Sequence, residues 1–207
     1  MVWHTVPKVI QHLFPDRSWE DSKEQNSVFL TFDDGPVPGS TDYVLEELDK
    51  RGQIANFFMV GANIRKHQNL AKSVIEAGHK VGNHTFNHLN GWKHSTKFYL
   101  DNVAMCQAEL KEIGVETNLF RPPYGMMKGS QARQLGKNYK LVMWSMLSGD
   151  YNLRVNTDLL LLKSKKFTKP GRIIVFHDQQ KTTNILPKIL PDYLDFIVDQ
   201  GWETKIV

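Results

Sequence analysis

Apolar residues fall in two patterns along this chain: short continuous runs, and longer stretches in which they recur every three or four positions. Val28-Phe29-Leu30 and Ile173-Ile174-Val175-Phe176 are runs of the first kind, too short for helices and rich in β-branched or aromatic residues. Runs of this type predict strands over 28–31, 55–60, 80–82, 141–143, 173–176 and 204–207. Helical spacing predicts helices over 41–51, 68–77, 96–113, 130–137, 157–166 and 186–200. A further apolar strand leaves Met143 and runs into a turn at Gly149-Asp150. Strands alternating with helices predict an α/β fold with a largely parallel sheet. At 207 residues and 41% apolar, the chain has room for one sizeable core, and no repeat or low-complexity tract divides it.

Polar residues where these strands end carry the candidate chemistry. Thr31-Phe32-Asp33-Asp34-Gly35-Pro36 follows the first run and stops it with a Gly-Pro turn. Two adjacent carboxylates repel and desolvate poorly, so a metal, an arginine or both must compensate them, unless they serve as an Asx-turn or a helix cap. Gly82-Asn83-His84-Thr85-Phe86-Asn87-His88 places two histidines four apart, on one face if the segment is a helical turn. They are either ordinary surface histidines or, with Asp34, a two-His, one-carboxylate set. Such a set suits Zn, Fe(II), Co or Ni and does not suit Mg or Ca.

Phe120-Arg121-Pro122-Pro123-Tyr124-Gly125 is either a proline-stiffened connector or a rigid loop that holds Arg121 against a carboxylate. Arg172 to Asp178 reads as a buried strand with His177 at its tip, where α/β proteins keep catalytic groups and where a histidine can also simply cap a strand.

In this order, these segments resemble the motifs of the polysaccharide deacetylases of carbohydrate esterase family 4, the NodB homology domain. The resemblance runs from about Val28 to the C-terminus. It implies a distorted (β/α) barrel and metal-dependent removal of acetyl groups from N-acetylated sugars, such as peptidoglycan or chitin-type oligomers. Carried over, Asp33 is the general base, and Asp34, His84 and His88 hold a divalent metal that activates a water. Arg121 tethers the base, Tyr124 supplies a backbone oxyanion donor, and His177 is the general acid oriented by Asp150. Val175 lies beside the acetyl methyl. The fourth motif departs from the family's usual Asp-x-x-Asp-Trp, because Leu147 and Tyr151 replace its first Asp and its Trp. That change puts substrate preference in question more than activity. Zn is the expected metal, with Co, Ni or Fe as alternatives. The competing activities are an O-acetyl esterase on plant polysaccharide, an amidohydrolase on small cyclic amides, and a non-catalytic carbohydrate-binding protein.

The remaining features refine this picture. Sugar rings stack on exposed aromatics, for which Trp92, Tyr124 and Tyr151 are the candidates, whereas Trp144 reads as core. Residues 1–27, aromatic and basic and then polar, read as an N-terminal cap on a single domain spanning 28–207. The start of the chain has no secretory signal pattern and nothing reads as a membrane span, so the expectation is a soluble, cytoplasmic protein. Cys106 stands alone in a helical pattern and is expected to be packed. The net charge of +4 comes with no nucleic-acid recognition motif. The expected partner is therefore a carbohydrate.

Overall fold

The computed structural model describes residues 4–207. Its strands are β1 (Ser27–Asp33), β2 (Asn56–Met59), β3 (Lys80–Asn83), β4 (Leu119–Phe120), β5 (Lys140–Leu141), β6 (Met146–Leu147), β7 (Ile173–His177) and β8 (Glu203–Thr204). They form one parallel sheet in the order β5-β4-β3-β2-β1-β7-β6, with β8 added to the start of β1. The helices are α1 (Lys8–Leu13), α2 (Thr41–Asp49), α3 (Gly61–Lys66), α4 (Gln68–Glu76), α5 (Thr96–Glu112), α6 (Gly129–Leu135), α7 (Thr157–Phe167) and α8 (Leu186–Asp199).

The sheet curls into a barrel that its own strands do not close. The N-terminal segment bridges the two edges instead, with Ser18 pairing to Val142 after β5 and Thr5 pairing to Met146 in β6. That is the distortion of the (β/α) barrel.

All seven residues of β1 are buried, which explains its unbroken apolar run. Alternation along the strand splits it between two environments. Val28, Leu30 and Phe32 pack in the main core with the buried face of α8, which includes Leu190, Leu194 and Ile197. Phe29 points the other way, into the barrel, and packs with Phe58, Leu119, Val142 and Ile173. Each such fully buried side chain is worth roughly 1.5–3 kcal/mol of transfer free energy. Thr31 and Asp33 share the inward parity of Phe29, and this places polar groups inside the mouth of the barrel.

Most predicted elements lie within a few residues of those observed, and the departures have identifiable causes. The strand expected at 141–143 contracts to Lys140–Leu141. Met143 leaves the ladder to donate to Ser18 O (2.7 Å), and the Val142 and Met143 carbonyls turn toward Arg121. Of the apolar strand expected from Met143, only Met146–Leu147 pairs, against β7. The strand expected at 204–207 is Glu203–Thr204, and Val207 N–H donates instead to the Asn56 side chain. Helices α1 and α3 and strand β4 were not expected. Among the described residues, no helix is long and apolar enough to cross a membrane.

Candidate active site and metal centre

Parallel strands bring their C-terminal ends to one rim, and the polar motif residues collect there. Asp33 ends β1 and His177 ends β7; His84 follows β3 and Arg121 follows β4. They meet in a cleft of about 760 Å³ whose walls include Asp33, Asp34, His84, His88, Tyr124 and His177.

Arg121 is fully buried beneath this cleft. Its Nη1 donates to Asp33 Oδ1 at 2.6 Å and to Thr31 Oγ1 at 2.7 Å. Nη2 donates to Met143 O at 2.9 Å, Nε donates to Val142 O at 3.3 Å, and the guanidinium lies 4.1 Å above the Phe58 ring. Burial pulls the guanidinium down from its ordinary value, against the pull of Asp33, but an arginine stays charged in any protein setting. Asp33 is thus held at one oxygen by a cation that cannot move.

Asp34 turns the other way because its backbone is left-handed, with φ at 84°. That conformation costs a non-glycine residue about 1–2 kcal/mol, and it points the two adjacent carboxylates to separate tasks. His84 and His88 are not on a helical turn, the arrangement in which their spacing of four would put them on one face. They sit in an irregular loop in which Thr85 and His88 have φ of 63° and 53°. Asn83 Oδ1 accepts from Thr85 N–H at 2.9 Å, and Asn102 Oδ1 accepts from Phe86 and Asn87 N–H at 2.9 and 3.0 Å. Those side chains outcompete helix formation.

The result is that one nitrogen from each ring and Asp34 Oδ1 all lie within 4.8 Å of one another. His84 Nδ1 faces Arg121 O at 2.8 Å. A carbonyl only accepts, so Nδ1 carries a proton, and Nε2 is the ring nitrogen turned toward Asp34. Asp34 Oδ1 is buried and takes no hydrogen bond of good geometry, although His88 Nε2 is 2.9 Å and His84 Nε2 3.4 Å away. Burial would raise the Asp34 carboxyl, but His84 and His88 outweigh it and hold it well below the usual range. An orphaned carboxylate oxygen facing two imidazole nitrogens fits a divalent cation with N and O preferences.

His177 and Asp150 form the third unit. His177 Nδ1 is 2.7 Å from Asp150 Oδ1, and His177 N–H donates to Oδ2 at 2.8 Å. Ser148 Oγ donates to Oδ1 at 2.8 Å, and Asp150 is fully buried. Burial would lower the imidazole, but Asp150, with Asp34 and Asp33 beyond, raises it to about 9. A histidine whose pKa rises on folding adds stability that is complete below its unfolded value of about 6.5 and fades as pH climbs through about 9. Asp150→Asn should therefore melt well below wild type at about pH 6, with the gap narrowing at about pH 10. An equal gap at both pH values would show that the pair does not carry this linkage.

The walls complete the inventory. Tyr124, also left-handed at φ 60°, follows the two prolines and packs its ring edge on His88. Val175 and Tyr151 line the cleft, and the Tyr151 ring stands edge-on to His177 at 5.3 Å. Trp144 is half-buried: it packs against the inner barrel cluster of Phe29 and Phe58, as its apolar setting predicts, and also lines the cleft with Leu147. Its neighbour Gly125 has no side chain to fill the space that the indole occupies. Trp92 lies outside the cleft lining, 60% exposed, with Nε1 donating to Met127 O at 3.1 Å. Cys106 is buried, its thiol pushed up to about 12 by burial, and so is inert. Thr31, Asn87 and Asp178, inside the quoted segments, and Asn63 and Lys181, outside them, take part in or beside the site although sequence reading assigned them no role.

The family model for polysaccharide deacetylases matches residues 20–144. A peptidoglycan-N-acetylglucosamine deacetylase of Bacillus cereus is 33% identical over 184 residues, which cover 84% of this chain and 85% of the relative. Another protein of that description, PgdA of Listeria monocytogenes, is 31% identical over 183 residues. That match covers 88% of this chain, which spans 38% of the length of the relative. Among solved structures, the peptidoglycan deacetylase PdaC of Bacillus subtilis superposes with a TM-score of 0.80 at 26% identity, covering 88% of both chains. Ordered motifs, a parallel barrel with those motifs on one rim, and a family model spanning more than half of the sequence lead to one conclusion: this chain belongs to the polysaccharide deacetylase family.

Proposed function

We propose that this chain is a metal-dependent hydrolase that removes acetyl groups from N-acetylated sugars of the peptidoglycan or chitin type. The observation that carries this reading is the convergence of three units on one cleft: Asp33 with Arg121, Asp34 with His84 and His88, and His177 with Asp150. A divalent metal held by Asp34, His84 and His88 would act as a Lewis acid, polarising the acetamide carbonyl and acidifying a water; the donor set favours Zn, with Co, Ni or Fe as alternatives.

The remaining chemistry falls to side chains. Arg121 occupies Asp33 Oδ1 and fixes the position of the carboxylate, leaving Oδ2 to take the proton of the attacking water. The Tyr124 N–H donates to the oxyanion that develops on the former carbonyl oxygen. An amine leaves poorly unless protonated, and His177 supplies that proton from Nε2 while Asp150 holds Nδ1. Val175 accommodates the acetyl methyl, and Tyr151 and the more distant Trp92 offer faces to neighbouring sugar rings. In this reading residues 28–207 are the catalytic domain and the segment before it is its cap, of which residues 1–3, Trp3 among them, lie outside the described residues.

Protein loaded with Zn or Co should release acetate from N-acetylglucosamine oligomers or peptidoglycan, and chelation should abolish that release. Release that survives thorough chelation would remove the metal from the reading. Release from acetylated xylan alone would replace the amide substrate with an ester.

A further inference from the structure

Asp178 lies one residue beyond the proposed acid and is 1% exposed, yet it has no part in the chemistry above. Its carboxylate lies against the turn that carries Asp34. Oδ1 accepts from Gly35 N–H at 3.0 Å, and Oδ2 accepts from Thr41 Oγ1 at 2.6 Å at the start of α2. Its own N–H donates to Asp33 O at 3.0 Å. The fit is close enough that a Cβ on Gly35 would fall 2.0 Å from Asp178 Oδ2. The glycine of the Asp-Asp-Gly-Pro turn is thus required by a side chain 143 residues away.

This turn needs a clamp. Asp34 holds a left-handed backbone, φ 84°, that a non-glycine residue leaves unless its surroundings over-determine it. Three contacts do so: Asp34 N–H to Phe58 O (3.2 Å), Asn63 Nδ2 to Asp34 O (2.8 Å), and the Gly35 N–H to Asp178. Of these partners, Asp178 alone also joins β1 to the end of β7, where His177 sits. We propose that Asp178 is the positioning residue that locks Asp34 in its metal-facing conformation and sets its spacing from His177. The inference rests on reading Asp34, His84 and His88 as metal ligands.

Co(II) titration tests it, following the visible d–d bands and chelator competition, with folding checked by circular dichroism. Residues that orient a ligand from behind typically contribute 10–100-fold to metal affinity. Asp178→Ala should therefore weaken Co(II) by about that factor and alter the band shape, which a merely structural role would not do. Asp178→Asn still offers an oxygen to Gly35 N–H and should recover affinity to within about threefold. Asp178→Glu keeps the carboxyl group but pushes a methylene into a gap already closed, and should bind as poorly as the alanine variant. If the alanine variant does not fold, the glutamate variant decides. Either variant, folded and binding Co(II) like wild type, overturns the inference. Wild-type protein that fails to bind Co(II) overturns the metal reading itself.

Discussion

Asp33→Asn is expected to lower acetate release by about 10²–10⁴-fold, the usual contribution of a general base, while Co(II) or Zn binding stays unchanged. The amide keeps the shape of the carboxylate and its oxygen still accepts from Arg121 Nη1, now 2.6 Å away. It cannot take a proton from water. Separate tasks for adjacent residues make the test clean, because Asp34 Oδ1 and the two histidines form a cluster that excludes Asp33. Turnover compared with metal affinity on the same preparation checks it. Equal loss of both would mean that Asp33 supports the metal centre. Retained turnover would move the base to another residue.

Arg121→Met should have the largest effect on stability. The substitution removes a fully buried guanidinium that serves Asp33, Thr31, Val142 O and Met143 O at once. It leaves the Asp33 carboxylate, 4% exposed, without a counter-ion. Breaking one side of a buried pair typically costs about 3–5 kcal/mol. Urea denaturation should show a loss of that size at neutral pH, and turnover should fall with it. Arg121→Lys should recover little, since one ammonium on a flexible stem cannot reproduce four bonds in a fixed fork. A loss below about 1 kcal/mol for either variant would show that Asp33 finds compensation elsewhere.

How far the site could be read from residues alone varied from one unit to the next. The tips of β1 and β7 were legible because an apolar run ending in Asp33 or His177 is a local pattern. Six of the eight helices among the described residues were legible for the same reason, within two residues at each end, whereas the short α1 and α3 were not. Asp34, His84 and His88 were legible as a set of residue types, but not as a geometry. Their spacing of four suggests a helical face, whereas the ligand atoms converge through two left-handed residues and the Asn83 and Asn102 side chains. Trp144 reads as core because its neighbours are apolar, and it does pack on the inner barrel cluster, but the chain leaves the sheet there to meet Ser18, and the indole also lines the cleft.

By itself, the sequence determined most of the segments that are strands and helices, which residue types end them, and hence which chemistry is available. Those properties depend on neighbours within a few positions, where periodicity and turn preference act. Local pattern named no partners: the family resemblance implied Arg121 with Asp33 and Asp150 with His177, and the tertiary structure alone decided Asp178 against Gly35 and the N-terminal segment across the open barrel edge. Each joins residues far apart in the chain. Such contacts follow from strand order and register, and these are set by how the whole chain buries its apolar surface.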